Sequence, residues 1–189
     1  MDAKVLFKKA LEQANASVKC IEKRHFKNPT PCTQWNCRAL LNHMLYELSW
    51  VPDILAGKTI KQVGDKYGGD LLDNNHLDSW QKAAQKALRA VNKVKPNKTV
   101  HLSYGRTAAE HYINEVGTDL LIHSWDAAQS YSCSLIIEQN LAKAVHDFVL
   151  PRRQEYAASP LFAKPINVPE DSRLQTKILA AVGRREPRP

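Results

Sequence analysis

The sequence has no uninterrupted run of about 18 apolar residues, so no segment is long enough to cross a membrane as a helix. It has no G-x-x-x-x-G-K-[ST], no G-x-S-x-G and no G-x-G-x-x-G. Phosphate-loop, serine-hydrolase and dinucleotide chemistry therefore find no support. Cysteine is scarce: Cys20, Cys32, Cys37 and Cys133 are the only four, and none forms a C-x-x-C pair. That argues against a closed structural zinc site and a disulfide framework. Cys32 and Cys37 read first as small packing residues, with metal binding or reactivity as the sharper alternative. The opening residues lack the apolar stretch of a secretory leader, so the expected location is cytoplasmic. No internal repeat and no low-complexity tract occurs.

What is present is an ordinary globular composition. Hydrophobic residues make up 43% of 189 residues, enough for one domain spanning 1–189 with a sizeable core. The net charge is +8. Residues 1–30 carry seven Lys/Arg against three Asp/Glu, residues 151–189 carry eight against four, and the middle balances at twelve each. The basic excess is thus spread over the two ends and is not a patch interleaved with aromatics. No nucleic-acid partner is expected, nor a membrane; a solvated surface or an anionic small molecule accounts for the charge.

Helical periodicity dominates. Phe7, Leu11, Ala14, Val18 and Ile21 mark one stripe on a helix over residues 2–25, ended by Asn28-Pro29-Thr30-Pro31. Asn36 is a good N-cap for a second helix over 37–56, with Leu40, Leu41, Met44, Leu45, Leu48, Val51 and Leu55 inward. Pro52 should disturb it and Gly57 should stop it. Residues 57–75 read as a long crossover connection. A third helix over 75–94 buries Leu77, Trp80, Ala84, Ala87, Leu88 and Val91. Thr99 to Tyr104 alternates and reads as a short extended piece. Thr107 and Glu110 have capping-box spacing, which predicts a fourth helix over 107–130 interrupted only by Gly117. A fifth helix over 137–150, an extended tail with Pro160, Pro165 and Pro169, a last helix over 172–182 and a frayed 184–189 complete the chain. The fold class is all-α: a four-helix bundle with a long crossover loop, plus an extra C-terminal helix and tail.

One stretch carries chemistry. Asp119 and His123 are four residues apart, about 40° apart on one helix face. Asp126 follows at three residues, placed to orient the His123 ring. His43 lies at the edge of the second helix's apolar face. In a bundle, the two helices bring His43, Asp119 and His123 to one pocket. Two imidazoles and a carboxylate suit Zn²⁺, with Ni²⁺ or Fe²⁺ as alternatives, and leave coordination positions open. His111 and Glu115 are rivals at the same spacing, but the helix turns about 120° between His111 and His123, so they read as rim groups. His101 and His146 read as non-ligands. Trp35, Tyr46 and Trp125 are candidate pocket walls or plain core.

The segments Thr30-Pro31-Cys32-Thr33-Gln34-Trp35-Asn36-Cys37-Arg38-Ala39-Leu40-Leu41-Asn42-His43-Met44 and Thr118-Asp119-Leu120-Leu121-Ile122-His123-Ser124-Trp125-Asp126-Ala127-Ala128, with Phe162-Ala163-Lys164-Pro165-Ile166-Asn167-Val168-Pro169-Glu170-Asp171 and Leu179-Ala180-Ala181-Val182-Gly183-Arg184 in the tail, resemble the DinB/YfiT-like metal-binding superfamily. Within it they resemble the branch of the N-terminal metal-binding domain of mycothiol-dependent maleylpyruvate isomerase. The resemblance implies a DinB-like bundle, ligands at His43, Asp119 and His123, a divalent metal that is often zinc, and a low-molecular-weight thiol as partner. The implied activity is that of a thiol S-transferase acting on a small electrophilic substrate. The alternatives are a non-catalytic, stress-associated metal-binding bundle and a bundle with no metal. A homodimer is compatible with the exposed helix faces of such a fold.

Overall fold

The computed structural model describes residues 1–158 and 163–186. Pro160, Phe162 and Pro187 to Pro189, which figure in the sequence reading, lie outside the described residues. The contacts divide the chain into two compact units, residues 2–134 and residues 135–189.

In the first unit, helix α1 (Ala3–Lys19) starts on Asp2, whose side chain accepts from the Val5 N–H at 3.0 Å. It is shorter than the expected 2–25. The chain leaves the helix at Cys20 and makes a separate 3-10 turn over Lys23–His25, where Glu22 and His25 cap one another. Helix α2 (Cys37–Ala56) is capped by Asn36 Oδ1 on the Ala39 N–H at 2.9 Å, and it runs through Pro52. It ends at Gly57, whose φ of 106° is left-handed and favours glycine. The crossover holds a short α3 (Ile60–Val63) with a Thr59/Gln62 capping box. It is fastened to α2 rather than loose. Asp53 accepts from Lys58, Lys66 and Tyr67 at 2.8, 2.6 and 2.9 Å, and Asn42 holds Gly69 and Leu71 by their backbone groups.

Helix α4 (His76–Lys93) buries Trp80, Ala84, Ala87 and Val91 as expected, while Leu77 is exposed. Strands β1 (Thr99–Leu102) and β2 (Gly105–Ala108) then form an antiparallel hairpin. This corrects the fourth helix's start. Thr107 pairs with Val100 in the hairpin, so its backbone is extended, and α5 (Ala109–Ser130) begins after Ala108 with no side-chain cap. Strand pairing overrides the capping-box pattern.

Helices α1 and α2 each pack on both α4 and α5, which closes a four-helix bundle. This is the all-α, DinB-like architecture the sequence implies. The core fills with Phe7, Leu11, Leu40, Met44, Leu48, Val91, Ile113 and Leu120, all nearly fully buried. Gly117 has a packing reason. A Cβ there would lie 2.6 Å from Leu6 Cδ2 and 3.2 Å from Phe7 Cα. The two helices approach through the space a side chain would take. Gly117→Ala is therefore expected to destabilise the fold by about 1–3 kcal/mol despite alanine's better helix propensity, measured as a shift in urea midpoint. A stabilised variant would show that the contact yields without cost.

In the second unit, α6 (Gln139–Val149), α7 (Arg153–Ala158) and α8 (Leu174–Ala181) appear, with α6 packed on α8. Gln175 ties the start of this unit to α8, accepting from Ile137 N at 2.8 Å and donating to Leu135 O at 3.1 Å. Arg184 is not frayed: it is buried, and its N–H reaches Leu179 O at 2.8 Å. Among the described residues no helix is long and apolar enough to cross a membrane.

Candidate metal centre

Periodicity on α5 places Asp119 and His123 one turn apart, and the α2–α5 contact brings His43 to them. His123 Nε2 lies 3.3 Å from Asp119 Oδ1, and His43 Nε2 lies 3.5 Å from Asp119 Oδ2. The two imidazoles meet edge to face, with ring centroids 4.9 Å apart. One ligand atom from each of the three residues falls within 4.8 Å of the others. The residues singled out from sequence thus come together.

The carboxylate sits in an unusual position. Asp119 Oδ2 is buried and receives no hydrogen bond within the described structure. A buried acceptor in that state costs about 1–3 kcal/mol, more when charged. Two imidazole nitrogens and a carboxylate with an unsatisfied buried oxygen are donors of the kind a divalent cation takes, so the residues fit a metal.

The other face of His123 is equally organised. Its Nδ1 is 3.0 Å from Asp126 Oδ2, and Asp126 is fully buried. Nδ1–H donating to that carboxylate leaves the Nε2 lone pair on the side of Asp119 and His43. Cys32, from the loop before α2, donates its thiol to the same Asp126 oxygen at 3.2 Å and lies 3.8 Å from His123 Nδ1. Cys32, His123 and Asp126 are therefore a second group within ligand distance. The packing role first expected for Cys32 understates it, because its spacing from His123 in the sequence carries no signal. Cys37, in contrast, is buried, and burial pushes its thiol up.

Charges follow from this geometry. Burial pushes the Asp119 carboxyl up, but His123 and then His43 outweigh it and hold it far below the usual carboxylate range. Burial pulls His123 down, while Asp119, Asp126 and Cys32 together raise it well above an ordinary imidazole.

Sequence reasoning missed Glu47. It stands one turn beyond His43 on α2, a spacing that was available as His-x-x-x-Glu. Burial, then the charge of Asp119, pushes it up to about 7, partly offset by His43 and His123. The folded chain therefore keeps this proton at pH values where the unfolded chain, near 4.5, has released it. Its contribution costs nothing below about pH 4.5, grows as pH rises, and is complete above about 7. Glu47→Gln is expected to stabilise the chelator-treated protein by about 2 kcal/mol at pH 8 and to leave it unchanged near pH 4. Urea unfolding at both pH values checks this; equal effects at the two would remove Glu47 from the account.

Among the candidate walls, Trp35 is the one that touches the imidazoles, at 4.5 Å from the His43 ring and 5.8 Å from the His123 ring. Tyr46 packs on Trp50, and Trp125 is buried. The rivals His111 and Glu115 pair with each other at 3.3 Å, and Tyr104 donates to Glu115 at 2.6 Å, so they occupy the rim one to two turns away.

The loop that carries Cys32 and Trp35 is closed on itself. Pro29 bridges Asn36, Thr30 Oγ1 donates to Trp35 O at 2.7 Å, and Cys37 N donates to Asn28 O at 2.9 Å. Asn28 Nδ2 in turn donates to Ser130 O at 2.7 Å, which ties the loop to the end of α5.

A helical bundle holding a histidine–carboxylate–histidine cluster between two helices is of the DinB-like class. The family model for the mycothiol maleylpyruvate isomerase N-terminal domain matches residues 7–128, and the chain belongs to that family. Every residue of the cluster falls inside the match. No curated protein and no solved structure matches the chain.

Proposed function

We propose that this chain binds one divalent metal ion, zinc by preference, through His43, Asp119 and His123, and serves as a metal-dependent thiol S-transferase. The observation that carries the reading is the Asp119 carboxylate, whose Oδ1 lies 3.3 Å from His123 Nε2 and whose buried Oδ2, with no hydrogen bond among the described residues, lies 3.5 Å from His43 Nε2. Three protein ligands leave open positions, the pattern of a catalytic rather than a structural site. When bound, such an ion supplies Lewis acidity that brings a thiol's ionisation down toward neutral pH. The family's mycothiol-dependent namesake points to a low-molecular-weight thiol as the partner that uses this site.

The chain's own residues divide the remaining work. Asp126 holds the His123 tautomer by accepting from Nδ1. Glu47, raised to about 7, stands beside the cluster ready to take a proton at neutral pH. Trp35 covers the two imidazoles and limits water on that side. The Cys32–His123–Asp126 group is the weaker metal candidate, because Asp126 is already occupied by donors from both His123 and Cys32.

The test is conjugation. Purified protein with added zinc is incubated with a panel of low-molecular-weight thiols and a chromogenic electrophile. Metal-dependent conjugation above the chelated control supports the reading. Stoichiometric zinc without conjugation by any thiol leaves a binding protein and removes the transferase.

A further inference from the structure

Helix α4 packs on α1 and α2 and buries Trp80, Ala84, Ala87 and Val91. Lys82, Lys86, Arg89 and Lys93 lie on its opposite, outer side, at spacings of four, three and four residues. They fall within about 60° of helix arc and extend about 16 Å along the axis. All four are exposed, and none makes a side-chain hydrogen bond or ion pair among the described residues. Asp78, in the first turn, is the only acid in α4. Residues 31–150 balance at twelve charges of each sign, yet this one helix face carries four cations in a row.

Other solvated helix faces of this protein are built differently. Lys8 and Glu12 on α1, and Lys143 and Asp147 on α6, alternate sign at four-residue spacing and pair at 3.9 and 2.8 Å. On α4 the same spacing sets cation against cation, which weakens a helix unless an anion neutralises the row. Beside the cations runs a row of exposed amides, Gln81, Gln85 and Asn92, whose side chains make no hydrogen bond among the described residues. Cationic and amide side chains together are the groups that contact a sugar–phosphate backbone. The face carries no exposed aromatic ring on which the bases of a single strand could stack. It also offers a bilayer nothing to insert: Leu77, the exposed large apolar residue of α4, stands about 150° around the helix from the cations.

We infer that the outer face of α4 is a docking surface for duplex nucleic acid, which Lys82, Lys86, Arg89 and Lys93 hold by its phosphates without reading base sequence. The charge count along the chain predicts no such partner; folding assembles one, because helical spacing gathers on one face cations that the sequence scatters among neutral residues. The inference is independent of the metal centre, whose proposed donors lie on α2 and α5.

The test is fluorescence anisotropy of a short, mixed-sequence DNA duplex titrated with the full-length protein over a series of salt concentrations. Four neutralised phosphates give a slope of log K against log salt of about −3.6. The double variant Lys86→Gln/Arg89→Gln is expected to bring that slope to about −1.8, since each lost phosphate contact removes about one unit. These side chains are exposed, so its thermal melt should match the wild type. Lys19→Gln/Lys23→Gln removes the same charge away from α4 and is expected to keep the wild-type slope. A scrambled duplex of equal length should bind equally well. Three results would overturn the surface: no duplex binding even at low salt, an unchanged slope in the α4 variant, or the same loss in the Lys19/Lys23 control. Binding to vesicles of phosphatidylserine and phosphatidylcholine at salt concentrations where the duplex is released would overturn it too, by assigning the stripe to a lipid surface.

Discussion

The His123→Ala variant is expected to leave gentle purification without metal, where the wild type carries about one equivalent. His123 is one of the three proposed donors, and no other described residue stands in its place: Cys32 and Asp126 lie on the far side of its ring. The substitution also takes a hydrogen-bond donor from the fully buried Asp126, which costs about 1–3 kcal/mol. Lower stability alone would therefore not identify a ligand. His43→Gln resolves this, because His43 is part-exposed and its loss disturbs the interior less. Both variants should lose the ion, and only His123→Ala should melt markedly earlier with chelator present. Elemental analysis and thermal melts with and without chelator read the two effects separately. Full metal occupancy in either variant would remove the proposed donor set. The affinity should also climb with pH. Burial opposes a charged His123, but Asp119, Asp126 and Cys32 favour its protonated form, so a cation competes with a proton there and binding is expected to strengthen as pH rises.

Asp126→Asn is expected to weaken metal binding by about 10–100-fold, although Asp126 is not one of the proposed donors. The carboxylate can only accept from Nδ1, which fixes the proton there and frees Nε2. An amide can present its NH₂ instead, and the imidazole then carries its proton on Nε2, facing Asp119. Competition titration with a chelating dye measures the change. Cys32→Ser is the control, since a hydroxyl still donates to Asp126; its affinity should stay close to that of the wild type. An unchanged affinity in Asp126→Asn would reduce the buried carboxylate to a packing partner of the ring.

The bundle and the cluster differ in how far the sequence disclosed them. Helical stripes marked α1, α2, α4 and α5, because a buried face repeats every turn and leaves its period in the residues. His43, Asp119 and His123 were legible because two of them share one helix turn. Glu47 was passed over at the same spacing, since a glutamate on a helix reads as solvated until a neighbouring helix covers it. Cys32 was undervalued because its meaning depends on a loop folding back across 91 residues of sequence to His123. The hairpin defeated a sound local signal: Thr107 and Glu110 have capping geometry in the alphabet, yet Thr107 pairs with Val100. Gly117 looked like a flaw in a helix and is the point where two helices touch.

The Asn28 link between the loop and the end of α5 bears on how an ion arrives. It ties the loop before α2 to the finish of α5, the two helices that carry the proposed donors, much as a splint holds two bones at a set distance. A cation bound at the proposed site would then enter a lock that is already cut, without moulding the protein around itself. Uptake should be quick and should shed a proton, with little change in far-ultraviolet circular dichroism, unlike a zinc finger that folds only when its ion is supplied.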